Sequence, residues 1–262
     1  MSHTRFVPAL ALALLAAAPL SAQRADFRWE KAIAAGSEVR VHNLNGDVTV
    51  SPSTSGKVEV VGIKHGSSRD LPDITIQVVE TSRGITVCPQ VKYVDIDCDE
   101  SGFRVHSHND NDWNDLSIDM QVKVPKGMLV DAHSVSGNVD VSGVEDRVRA
   151  GSVSGDVRLE AARVSSLKAS SVSGNVTVRI ESLASDGSLS FSSVSGDVSV
   201  ELPKNIDADV SMRSVSGTLD SEFPLTLNGR MDRRSLEARI GKGGRELELH
   251  TVSGDVRLRM VK

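Results

Sequence analysis

Ser134-Val135-Ser136-Gly137-Asn138-Val139 is the stretch from which the fold follows, because the chain repeats it. It returns at residues 152–157, 171–176 and 193–198, weakens at 214–219, and is restored as Thr251-Val252-Ser253-Gly254-Asp255-Val256. An earlier copy reads Asn43-Leu44-Asn45-Gly46-Asp47-Val48. Gly137, Gly155, Gly174, Gly196 and Gly217 are 18, 19, 22 and 21 residues apart. A period of about 20 residues marks a solenoid or array. Gly217 and Gly254 are 37 residues apart, close to two periods, so a degenerate rung is expected between them at 236–240.

The flanks of the unit obey a second rule. Counting its first residue as zero, positions −4 and −2 are apolar: Val130/Ala132, Val148/Ala150, Leu167/Ala169, Leu189/Phe191, Val210/Met212 and Leu247/Leu249. Positions +5 and +7 are apolar too: Val139/Val141, Val157/Leu159, Val176/Val178, Val198/Val200 and Val256/Leu258. Alternation with period two, rich in β-branched residues, is a strand signal. The first set lies on even positions and the second on odd ones, so one straight strand cannot bury both. The chain must bend between them. Gly46, Gly137, Gly155, Gly174, Gly196, Gly217 and Gly254 are the structural corners, where glycine relieves the backbone. We expect an all-β fold: a single parallel β-solenoid (β-helix) of about 20-residue rungs stacked ~4.8 Å apart, with a less regular β-rich N-terminal capping region.

The residue after the corner glycine alternates along the chain as Asn138, Asp156, Asn175, Asp197 and then Thr218. Stacked carboxylates repel, and an intervening Asn donates to both neighbours, so the alternation reads as a stacking device. A calcium ladder is the functional alternative; ladders of that kind use denser Gly/Asp repeats. On the outward positions, Asp131 falls beside Arg149 and Asp140 beside Arg158, which suggests cross-strand ion pairs.

Residues 23–125 are β-rich but irregular and are expected to start and cap the solenoid, with the regular rungs in 126–262. Residues 81–84 suit a hairpin turn. Cys88 and Cys98 are the two cysteines of the chain, and their even count fits one disulfide. Between 95 and 115 the sequence is strongly acidic. We read it as a solvated loop following the disulfide. The competing reading makes His106, His108, Asp110 and Asp112 metal ligands, since residues two apart on a strand share a face. That segment lacks the central Gly and distal Glu of a calcium-binding helix-loop-helix.

The first 22 residues carry Arg5, an uncharged apolar run and a small-residue end at Leu20-Ser21-Ala22, the pattern of a signal peptide. The apolar run of about 15 residues is short for a membrane span. We expect export to the periplasm or cell surface, and a chain that is not an integral membrane protein after cleavage. The formal charge is −5 and aromatic residues make up 3% of the chain. Neither supports nucleic-acid binding, which needs a basic face. No cofactor is implied.

The repeated unit, the opening Asn43–Val48 copy and the closing segment 247–256 resemble the bacterial "putative adhesin" family of β-strand-repeat proteins, domain of unknown function 4097, over about residues 36–262. The resemblance implies a parallel β-solenoid in the cell envelope and brings no catalytic residues with it. The expected function is a non-catalytic structural, adhesion-like or interaction module whose partner is an unidentified protein, glycan or envelope ligand. An envelope-stress sensor or regulator binding peptides or lipids is the alternative. A carbohydrate-active β-helix enzyme is disfavoured, because the outward rows −3 and +6 place no paired carboxylates on neighbouring rungs. No serine sits in a nucleophile elbow.

Overall fold

The computed structural model describes residues 26–67, 70–92, 94–99, 102–108, 116–184, 187–228 and 232–261. Strands dominate, with one short 3-10 turn at Leu71–Asp73. The expected leader, 1–22, lies outside the described residues. No described helix is long and apolar enough to cross a membrane.

Each repeat bends at its corner as the parity of its apolar residues requires. The strands that precede the corners line up side by side in parallel, with the first residues of the units in register. Asn43 pairs with Ser134, Ser134 with Ser152, Ser152 with Ser171, and Ser171 with Ser193. The strands that follow the corners make a second parallel stack, in which Val48, Val139, Val157, Val176 and Val198 are successive neighbours. The two stacks face each other, and the −4, −2, +5 and +7 residues fill the space between them. Val139, Val157, Val176, Val198 and Val256 are all 0% exposed. Phe191 and Met212 are the largest residues of the −2 row, and both are fully buried.

The stack departs from the expected single parallel solenoid in three respects. First, both ends are antiparallel. Strand Val58–His65 runs antiparallel to Ser117–Val124 and to Phe27–Lys31, and Ile74–Thr81 is antiparallel to Gly84–Val91 around the expected 81–84 turn. At the far end, Ser235–Ile240 lies antiparallel to Ala208–Ser216. Residues 236–240 therefore belong to an antiparallel end strand, flanked in turn by the short strand Thr226–Leu227, and not to a degenerate rung. An antiparallel neighbour closes a stack without offering another corner for a rung to follow, which limits edge-to-edge growth.

Second, the order of rungs in space is not their order in sequence. Glu246–Ser253 inserts between Leu189–Ser195 and Ala208–Ser216, and Val256–Met260 inserts between Val198–Leu202 and Leu219–Ser221. The unit at 214–219 is thus the last corner. It carries Thr218 in place of Asp or Asn, and no further rung stacks on it to need that side chain. The charged strand Val256–Met260 is consequently interior to the sheet.

Third, the acidic segment is not simply a loop. Val94–Asp99 and Gly102–His108 form a two-stranded antiparallel hairpin, separate from the main sheet. Residues 109–115 lie outside the described residues.

Candidate interaction surface

The corner explains most of its own sequence. A Cβ on Gly155 would lie 2.2 Å from the carbonyl oxygen of Gly137, and one on Gly174 would lie 2.2 Å from that of Gly155. Only glycine lets successive rungs come this close. The first residue of the unit is buried and donates to the glycine carbonyl of the rung before. Ser152 Oγ reaches Gly137 O, Ser171 Oγ reaches Gly155 O, and Ser193 Oγ reaches Gly174 O, each at 2.8 Å. Thr251 and Ser214 repeat the bond at the inserted and last rungs. These hydroxyls satisfy carbonyls that would otherwise be orphaned at the bend.

The residue after the glycine builds a third ladder. Its side-chain oxygen accepts the backbone N–H of the equivalent residue one rung on. Asn138 N donates to Asp47 at 2.7 Å, Asp156 N to Asn138 at 3.0 Å, and Asn175 N to Asp156 at 2.9 Å. Asp197 N, Asp255 N and Thr218 N continue the series, each at 2.9 Å. The acceptor is a carboxylate or a carboxamide oxygen, and the two serve alike. Asn/Asp alternation is therefore not what holds the stack: Asp197 and Asp255 are direct neighbours. Arg257 resolves their repulsion, reaching Asp197 Oδ2 at 2.6 Å and Asp255 Oδ2 at 2.5 Å. The Asp255 N–H, and then Arg257, hold the Asp197 carboxyl below the usual carboxylate range. The Thr218 N–H and side chain do the same for Asp255.

Two positions of the unit have no such role. The residue after the first serine points outward and is valine in six copies: Val135, Val153, Val172, Val194, Val252 and Val215, in spatial order. Their exposures run from 38% to 51%. Rungs ~4.8 Å apart make this an apolar row about 24 Å long. Beside it runs an exposed row of Ser136, Ser154, Ser173, Ser195, Ser253 and Ser216. Leu44 holds the same place in the first unit but is only 9% exposed. It shares a small enclosed space with Ile74, Pro89, Val91 and Leu116. The chain thus covers the first member of the row with its own apolar side chains and leaves the other six open.

Beyond the row, Asp131 lies 4.0 Å from Arg149 and Asp140 lies 3.9 Å from Arg158, the expected cross-strand pairs. Arg158 also meets Asp156 at 2.8 Å. An open groove of about 330 Å³ on the outer face is lined by Ser190, Ser192, Ser211, Arg213, Glu248 and His250. No hydrogen bond links Ser192, His250 and Glu248 among the described residues.

Cys88 and Cys98 form the expected disulfide. It ties the 94–108 hairpin to the strand Gly84–Val91. Phe103 of the hairpin stacks on His42 with ring centroids 6.0 Å apart, and His42 stacks on His133 at 5.7 Å. His133 Nε2 lies 2.7 Å from Asp131. His42 Nε2 is buried without a hydrogen-bond partner. Burial first, and then the neighbouring His133, push the His42 imidazole down to about 4. Burial works to raise Asp131, but His133, with His42 and Arg149, outweighs it and leaves the carboxyl low.

Of the metal candidates, His106 is paired with Asp97 at 2.6 Å, and His108 stands opposite Val94 in the backbone pairing of the hairpin. Asp110 and Asp112 lie outside the described residues. Among the described residues, no group of three His, Cys, Asp or Glu side chains is placed to hold a metal ion. The valine row was not among the residues singled out in the sequence. Its signal was present, because position +1 has outward parity and is apolar in all seven units.

Two solved structures resemble this arrangement. A putative cell adhesion protein from Clostridium sporogenes shares 11% identity, with 90% of this chain and 99% of that chain covered and a TM-score of 0.50. A putative adhesin from Bacteroides fragilis shares 13% identity, with 88% and 96% covered and a TM-score of 0.42. No curated protein matches the chain. The stacked corners, the two facing stacks and the antiparallel ends account for nearly the whole chain. So does the Toastrack family model, DUF4097, which matches residues 31–259: the chain belongs to the Toastrack family.

Proposed function

We propose that this chain is a non-catalytic module of the bacterial cell envelope that works by binding a protein partner along its valine edge. The observation that carries the reading is the open row from Val135 to Val215, at a position the fold leaves free. Threonine is also β-branched and would serve the strand equally well at an exposed site. Valine at all six sites puts on the order of 400 Å² of contiguous apolar surface in water, comparable to the largest apolar patch of a typical monomer, a patch that is often functional. The disulfide suits an oxidising compartment, as does the leader pattern. The names of the similar structures suggest adhesion, which is the cell-surface form of the same reading.

The test is photocrosslinking in living cells. A photoreactive residue replaces Val172 on the edge or Lys168 on the outer face. Protein adducts at 172 and none at 168 support the reading. No adduct at 172, or equal yields at both sites, overturns it. Protease treatment of intact cells separates the two locations: cleavage places the module on the surface, and protection places it in the periplasm.

A further inference from the structure

Building on that reading, we infer that the partner on the valine edge is a second copy of this chain, docked edge to edge as an antiparallel two-fold pair.

The repeat distance is the first argument. The open valines recur every ~4.8 Å along the stack. An extended peptide lying along the row presents side chains on one face every ~6.6–6.8 Å. A helix advances ~5.4 Å per turn. Either falls out of step within two or three rungs. Another stack of parallel rungs has the same spacing, so the valines of the two copies stay in register along the full length. The six positions also define the symmetry. The midpoint of the row lies between Val172 and Val194, so a two-fold axis there brings Val172 against Val194 of the second copy and Val135 against its Val215.

Charge is the second argument. A two-fold interface sets each surface against itself, so like charges on the edge would be opposed. The exposed edge residues are valine and serine. The acids behind them already accept backbone N–H groups, as at Asp156 and Asp197. The corner units contain no aromatic or basic side chain of the kind that anchors a protein at a lipid surface.

Area is the third. The valines and the exposed serine row together offer a strip approaching the ~800 Å² per partner of a standard interface. The chain itself shows what this position accepts: Leu44 is covered by Leu116, Pro89, Ile74 and Val91.

The test uses the mature protein with its disulfide intact, followed by sedimentation from about 1 to 100 μM at low and high salt. The wild type is expected to be dimeric, and more so at high salt, because each copy carries a net negative charge. Val172→Asp with Val194→Asp should weaken the dimer at least tenfold with an unchanged circular-dichroism spectrum. Under mild oxidation, Val172→Cys mixed with Val194→Cys should crosslink, and Val135→Cys alone should not. Val135→Cys mixed with Val215→Cys should crosslink. A wild type that is monomeric at 100 μM overturns the inference, as does a dimer indifferent to the double aspartate variant. If the wild type is monomeric but the in-cell adducts at 172 persist, the interaction edge stands and only its occupant is wrong. Loss of both removes the edge itself.

Discussion

Gly174→Ala tests whether close approach of rungs at the corner holds the stack. The added Cβ would sit 2.2 Å from Gly155 O and 2.6 Å from Gly155 C, both backbone atoms that cannot swing aside. To reach an ordinary contact of about 3.4 Å, the two rungs must separate locally by about 1.2 Å, an overpacking strain of roughly 1–3 kcal/mol. The same movement stretches Asn175 N to Asp156 Oδ1, now 2.9 Å, and Gly155 N to Ser173 O, now 3.0 Å, beyond bonding distance. Two weakened backbone donors add about 1 kcal/mol each, so the total is about 3–5 kcal/mol. For a chain of this size that lowers the melting temperature by roughly 8–15 °C. Thermal and urea unfolding of the oxidised protein measure it. Gly36→Ala is the comparison, because nothing lies within 4 Å of its added Cβ and the positive φ of 83° is the sole strain. That change should cost about 1 kcal/mol. A Gly174→Ala protein melting within 3 °C of the wild type would refute the close-approach argument. So would a Gly36→Ala protein that loses as much.

Three further expectations concern charge and the hairpin. His42 is held neutral, with its folded pKa about 4 against 6.5 unfolded, so the unfolded chain binds the extra proton between these values. Its contribution is complete above pH 6.5 and declines as pH falls towards 4, by about 2–3 kcal/mol. Urea unfolding across pH 7 to 4 should show that loss, and His42→Phe should flatten it. Arg257→Gln leaves Asp197 and Asp255 facing each other unshielded, so melting temperature should fall most at low salt. Both acids are held below the usual range, so the deficit should shrink as pH drops below about 4 and they protonate. Reducing Cys88–Cys98 releases a short loop worth about 2–3 kcal/mol; hydrogen exchange should quicken across 94–108 and not at the corner amides.

The corner was legible because parity is a local property. Even positions before the bend and odd positions after it are visible in residues 130–141 alone, and the structure buries both sets. Strand direction outside the repeats was not legible. Lys57 to Ile63 and Ser117 to Val124 alternate as any half-buried strand does, and alternation does not say which way a neighbour runs. Rung order was hidden for a different reason. A fixed period assumes that neighbours in sequence are neighbours in space, whereas the 246–260 segment enters between two earlier rungs. Thr218 was the available clue, since a corner without a carboxyl or carboxamide suits the end of a ladder. The hairpin over 94–108 was obscured by its acidity, which reads as solvation, while its fixing points, Cys98 and Phe103, lie among the acids. The valine edge was missed because the outward rows were read at −3 and +6 and not at +1.

The division of labour within the unit bears on what repetition means for function. Its first residue satisfies a carbonyl, its glycine permits approach, its acid or amide caps the next amide, and its last valine fills the core. Those four choices are dictated rung by rung and would be the same whatever the protein bound. The outward valine and serine are the choices that stacking leaves open. Every added rung extends the edge by ~4.8 Å and contributes one more valine to it. Repetition that says little about chemistry therefore says a good deal about shape: it builds a long, straight, uncharged edge with a fixed spacing. A catalytic site needs a few unlike groups converging on one point. This edge offers many like groups spread along a line, which suits a partner that is itself extended and periodic.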